Sequence, residues 1–182
     1  ISGAIDPIVM LQQQTTPVKL EAIVRAYLTG GEWRSFAAGN FVKSGINMRN
    51  YLQFERKNER FTELLFTPTE KSDTDPDISR EAAIEKRIVS AEQFDAMQSQ
   101  ALQLFQLGEK YFKKKGLLLV DSKFEFGIDN QGEIKVIDEI LTPDSSRFWF
   151  ADEYEQRFRK GEEQKKIDKE YVREWLAAHG FR

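Results

Sequence analysis

Residues 117–150, "LLLVDSKFEFGIDNQGEIKVIDEILTPDSSRFWF", constrain the fold more than any other stretch. Two runs rich in apolar and β-forming residues flank the polar turn "IDNQG", the pattern of an antiparallel hairpin. Its strands are expected near 117–126 and 133–141. Alternation puts Asp121, Lys123 and Glu125 on one face and Ser122, Phe124 and Phe126 on the other. The return strand is expected to place Asp138 on the face of Ile134, Val136 and Ile140, within a residue or two of register with Glu125. Two carboxylates so close repel unless positive charge lies between them. Lys123 can supply part of it, and a divalent cation would supply more. A solvated face with a surface salt bridge, worth at most about 1 kcal/mol, fits the spacing equally well.

The remaining elements follow from pattern and punctuation. "VKLEAIVRAYLTGG", from Val18, reads as a strand stopped by Gly30 and Gly31. "EWRSFAAG" offers one or two helical turns, and 40–79 reads as irregular, with "FTPTEKSDTDPDIS" as a loop. Ser79 is placed to cap a short helix over "REAAIEKRI", and Ser90 with Gln93 forms a capping box for a longer one. Phe94, Met97, Ala101, Leu104, Phe105 and Phe112 recur at helical spacing, so that helix has one apolar face. Lys113, Lys114 and Lys115 suit its solvated last turn, closed by Gly116. A charged tail helix carries Tyr171, Val172, Trp175 and Leu176 on one stripe. Without a regular βαβ repeat, the expected class is α+β, an antiparallel β-sheet with flanking helices.

Composition narrows the chemistry. A length of 182 residues suits one domain, or one and a half, and a net charge of −3 argues against bulk nucleic-acid binding. No apolar run reaches membrane-span length and no signal-peptide pattern opens the chain, so no membrane partner is expected and the cytoplasm is the expected location. Absence of cysteine removes disulfides, thiolate zinc sites and thiol nucleophiles. The single histidine, His179, precedes Gly180 and reads as serving a helix C-terminus. Chemistry therefore falls to carboxylates, lysines, arginines, hydroxyls and a hard, oxygen-seeking metal such as magnesium. The turn "TPDSSR" gathers hydroxyls, backbone donors and Arg147, the groups that hold a phosphate.

"LLLVDSKFEFGID" followed by "VIDEILTPDSSRFW" closely resembles the signature of the phosphoribosylaminoimidazole-succinocarboxamide synthase (SAICAR synthetase) family. "LEAIVRAYLTGG", "LFTPTEKSDTDPDIS" and "KEYVREWLAAHG" resemble further segments of that family, so the likeness runs from about Pro17 to the end. It implies a SAICAR-synthetase-like, ATP-grasp-like C-terminal portion at 17–182 that binds substrate and magnesium, with 1–16 as a boundary segment or linker. The implied reaction is ATP-dependent: the carboxylate of carboxyaminoimidazole ribonucleotide is phosphorylated, and the amine of aspartate then displaces phosphate to form an amide. By resemblance, Glu125 and Asp138 hold magnesium and thereby the ATP phosphates. Lys123 neutralises the transferring phosphoryl group, and Asp121 orients that lysine or the substrate. Arg25, Arg147, Ser145 and Ser146 grip the ribonucleotide phosphate, and Lys71 and Asp75 face the ribonucleotide and aspartate.

Two departures stand out. The family's Gly-Ser turn is Gly30-Gly31 here, leaving the Gly31 amide as the donor. No segment matches the family's β-rich Gly-Lys lobe over the ATP phosphates. The abrupt start at Ile1 reads as a cut chain, and three explanations of the unmatched lobe stand side by side: the chain is a fragment, another polypeptide supplies the lobe, or this homologue does not catalyse ligation. Two alternatives therefore accompany the ligase: a non-catalytic ribonucleotide-binding module, and a small-molecule kinase of related fold. A homo-oligomer is compatible with all three.

Overall fold

The computed structural model describes residues 13–181, excepting the side chains of Glu170 and Glu174. Most of the expected boundary segment, 1–12, lies outside the described residues. Six antiparallel strands form one sheet around a central pair, β1 (Thr16–Tyr27) and β6 (Leu117–Ile128). On its outer edge β1 pairs with β4 (Arg60–Phe66) and then β5 (Thr69–Glu70). The outer edge of β6 pairs with β7 (Ile134–Ile137) and then β8 (Ser146–Phe150). A two-stranded ribbon, β2 (Val42–Lys43) and β3 (Ile46–Asn47), lies apart. Among the described residues, five α-helices and a short 3-10 helix (Met48–Tyr51) complete the α+β architecture: α1 (Gly30–Ala37), α2 (Arg80–Glu85), α3 (Ala91–Lys113), α4 (Ala151–Lys160) and α5 (Lys169–Ala178).

One sheet face is the core. Leu20, Ala22 and Val24 of β1 and Phe124 and Phe126 of β6 are fully buried, as alternation requires. They share one cluster with Phe94, Met97, Ala101 and Phe105 of α3. That helix is specified locally: Ser90 and Gln93 form the expected reciprocal capping box, and Gly116 sits at φ +76° just past its end. Gly108 of α3 lets Leu141 pack closely on the helix: a Cβ there would lie 2.6 Å from the Leu141 side chain and force it to shift. With one face sealed by α3, the charged residues of β1 and β6 are left on the opposite face.

The structure departs from the sequence expectation in two places. Residues 40–79 hold strands rather than irregular chain throughout, most notably β4. Its apolar residues serve two cores, Phe66 in the main one and Phe61 and Leu65 in a smaller one with Leu28, Phe36 and Met48. Simple two-residue alternation is therefore lost, and a register irregularity against β1 disturbs it further. The return strand also ends at Ile137 rather than near 141, because Asp138 (φ +62°) and Leu141 (φ +57°) adopt left-handed backbone that breaks the pleat.

Candidate functional site

Register assembles the charged face. Across the central pair, Glu21 opposes Glu125, Ile23 opposes Lys123 and Arg25 opposes Asp121. On the other side of β6, Asp121 opposes Arg147 of β8. Directly opposed residues share a face. Asp121, Lys123 and Glu125 thus stand in a row, flanked by Glu21, Arg25 and Arg147.

At one end, Asp121 is the hub. Arg147 Nη1 donates to its Oδ2 at 2.6 Å, and Arg25 Nη1 lies 3.7 Å from the same oxygen. Arg25 and Arg147 therefore meet around one carboxylate. They are not equivalent. Arg25 is buried and committed to the protein, with Nη2 on Glu32 at 2.8 Å and Nε donating to Thr67 Oγ1 at 2.8 Å. Burial works against ionisation of Glu32, yet the charges of Arg25 and then Lys43 outweigh it and hold its pKa below the usual carboxylate range. Arg147 is half-buried and lies against α1, where a Cβ on Gly30 would come within 3.1 Å of its guanidinium. Gly30 also has φ +57°, so that position favours glycine twice over. Gly31 follows in the first turn of α1, where backbone N–H groups point outward from the helix.

Charges also interlock along the row. Lys123 Nζ reaches Glu125 Oε1 at 2.6 Å and Glu21 Oε1 at 3.3 Å. Burial opposes protonation of Lys123, but the hydrogen bond to Glu125 and the charge of Glu21 raise its pKa. Lys71, just beyond β5, binds the second Glu125 oxygen, Oε2. Burial likewise opposes ionisation of Glu125, but its bonds from Lys123 and Lys71 lower the pKa. Asp75 lies within the loop after Lys71, at φ +42°, and accepts from the Ser72 N–H at 3.1 Å. Asp138 is exposed, one residue past Ile137, the register partner of Glu125. Because the strand has ended there, alternation does not set its direction. Glu125 and Asp138 are hard carboxylate donors and suit magnesium. Among the described residues no three or more His, Cys, Asp or Glu side chains gather as a metal site. Two carboxylates are enough where substrate phosphates complete the shell.

The "TPDSSR" turn is tied to this face by the Lys123 N–H, which donates to the Ser145 carbonyl at 2.9 Å. Ser146 is buried, its Oγ 2.9 Å from Ser122 Oγ, and Ser145 is buried with its hydroxyl engaged by Thr142. Both serines line a cleft of about 170 Å³ with Arg25, Lys123, Arg147 and Arg173. A second cleft of about 380 Å³ adjoins at Arg147 and is walled by Gly30, Trp33, Lys57, Trp149 and Gln164. Sequence reasoning missed Glu21, Glu32 and Lys43. The opposed register of β1 and β6 would have found Glu21; nothing local marks the other two.

An antiparallel sheet with flanking helices, a charged, arginine-flanked outer face and two adjoining clefts defines the class of this protein as α+β. The SAICAR synthetase family model matches residues 3–181, and the chain belongs to that family. The matched region extends ahead of Pro17. A phosphoribosylaminoimidazole-succinocarboxamide synthase of Bacteroides thetaiotaomicron is 40% identical over 179 residues, covering 97% of this chain and 56% of the relative. One from Azobacteroides pseudotrichonymphae is 40% identical, covering 97% and 54%. The chain thus spans about half the length of these curated relatives. Among solved structures, SAICAR-synthase from Saccharomyces cerevisiae complexed with SAICAR superposes with TM-score 0.75 at 36% identity, covering 91% of this chain and 52% of that one. A SAICAR synthetase in complex with ADP gives TM-score 0.65 at 26% identity, covering 88% and 57%. No helix among the described residues is long and apolar enough to cross a membrane.

Proposed function

We propose that this chain is the ribonucleotide- and magnesium-binding portion, at 17–182, of an ATP-dependent ligase of de novo purine biosynthesis. The enzyme joins aspartate to the carboxylate of carboxyaminoimidazole ribonucleotide. The observation that carries this reading is the Asp121–Lys123–Glu125 row, with Arg25 and Arg147 converging at one end. Support comes from the relatives, one bound to SAICAR and one to ADP. The portion of the relatives that this chain does not match is proposed to bring the lobe that covers the nucleotide.

In this reading, a carboxylate oxygen of the ribonucleotide attacks the γ-phosphorus of ATP and ADP leaves. The aspartate amine then attacks the acyl carbon, loses a proton and expels phosphate. Lys123, kept protonated by Glu125 and Glu21, offers a fixed positive charge where phosphoryl charge develops. Asp121 holds the Arg147 guanidinium beside Gly30, presenting a fork to the ribonucleotide phosphate, with the Gly31 amide at the start of α1 as a further donor. Arg25 stiffens that end from beneath. Ser145 adds a hydroxyl, while Ser146 acts through the turn because its own hydroxyl faces Ser122. Lys71 and Asp75 lie on the aspartate side. Glu125 and Asp138 would hold magnesium, which supplies charge neutralisation of the ATP phosphates. A cytoplasmic setting and self-association are part of the proposal.

The test is ADP release that requires both co-substrates. In the full-length protein, Lys123→Met should lower turnover by about a hundredfold or more. The 182-residue chain alone should turn over little or not at all while still binding the ribonucleotide. Robust turnover by the chain alone would overturn this account of the nucleotide site.

A further inference from the structure

Glu125 has both carboxylate oxygens occupied by cations of different origin. Oε1 takes Lys123 at 2.6 Å, a neighbour on the same strand that Glu21 also holds at 3.3 Å. Oε2 takes Lys71, which arrives from outside the sheet. The Lys71 side chain is 46% exposed, whereas that of Glu125 is 12% exposed. Residues 71–77 are all exposed, yet both ends of the loop are fastened. Glu70 donates its N–H to the Pro76 carbonyl at 2.9 Å and pairs through its side chain with Lys86 at 2.5 Å. Asp77 pairs with Lys43 at 2.5 Å. Between these fastenings, the Lys71 ammonium is the side-chain tie that joins the loop to the charged face.

We propose that Lys71 is the exchangeable counter-cation of Glu125: it fills the position a divalent cation takes, and metal binding expels it and releases the loop between Lys71 and Asp77. The inference rests on Glu125 being a metal ligand. Its physical basis is a difference in strength. An ion pair made by a half-exposed lysine contributes little, whereas a divalent cation brings twice the charge to the same oxygen. Lys123 remains because Glu21 also holds it. A dication and two ammonium groups crowded on one carboxylate would repel one another, so the less tethered ammonium leaves.

Mn²⁺ titration followed by electron paramagnetic resonance provides the test, with circular dichroism checking that each variant folds. Lys71→Met should bind Mn²⁺ about two- to fivefold more tightly than the unaltered chain, the size of one exposed ion pair. Lys71→Arg should restore the original affinity, and Glu125→Gln should weaken binding. Limited trypsin digestion with peptide mapping reads the loop directly. Cleavage after Lys71 should accelerate with Mn²⁺ in the unaltered chain and be fast without metal in Glu125→Gln. If Glu125→Gln weakens Mn²⁺ binding while Lys71→Met leaves it unchanged or weaker, the exchange is wrong and the metal site stands. If Glu125→Gln binds Mn²⁺ as well as the unaltered chain, the metal site itself is wrong and the exchange falls with it.

Discussion

The two ends of the charged face are built differently. At the Asp121 end, the side chains of Arg25, Glu32 and Asp121 are 7%, 8% and 9% exposed, and each touches another of the group. At the Glu125 end, Lys71 is 46% exposed on an open loop and Asp138 lies exposed beyond a broken strand. Buried charges are costly to rearrange, because any move leaves one without a partner in a poorly solvated place. Exposed ones exchange partners with water and ions at little cost. The contrast teaches a difference in freedom: one end is fixed by buried pairs, and the other, where we propose the exchange of lysine for metal, is open to solvent.

The strongest way to break this comparison is Arg25→Ala. It leaves the buried Glu32 with Lys43 alone, at 3.4 Å, and weakens the hold on Asp121, so unfolding in urea should show a loss toward the lower end of about 3–5 kcal/mol. A loss below about 1 kcal/mol would mean the buried end is no stiffer than the open one. Arg147→Ala should act on ligand more than on fold. Removal of one charged fork should weaken ribonucleotide binding by roughly ten- to a hundredfold, read by calorimetry, with ADP binding nearly unchanged. An equal loss for both ligands would argue against a phosphate role.

Acid sharpens the comparison further. Because the folded pKa of Glu32 is lowered from 4.5, its ionisation stabilises the fold above that value. That contribution is lost as pH falls through the lower folded value. Stability should therefore decline below about pH 4.5 with a single-group slope of at most about 1.4 kcal/mol per pH unit, and Glu32→Gln should flatten this component. The smallest effect belongs to the open end. Lys71→Met should change stability by less than about 1 kcal/mol, in contrast to Arg25→Ala.

Local rules made much of this legible. The capping box of Ser90 and Gln93, the apolar stripe of α3 and the alternating faces of β6 all arise from neighbours in the chain, and all were readable. The strand at 60–66 was not, because Phe61, Leu65 and Phe66 answer to two different cores that only the folded chain defines. Asp138 was readable as a carboxylate after an apolar run, but not as a residue past the strand's end. Its left-handed backbone, at φ +62°, is set in the folded chain, where Leu141 three residues on packs close to Gly108 of α3.

For the site, the sequence by itself determined which side chains of β6 share a face, because a two-residue period is a property of one strand. It also carried the family likeness, through near-continuous motifs. Tertiary structure decided the partners: that Glu21 stands opposite Glu125, that Arg25 and Arg147 divide one oxygen of Asp121, and that Glu32 lies beneath them. Those pairings join residues far apart in sequence. Coulomb energies turn on separations of a few ångströms and on burial, and neither is set until strands and helix close upon one another.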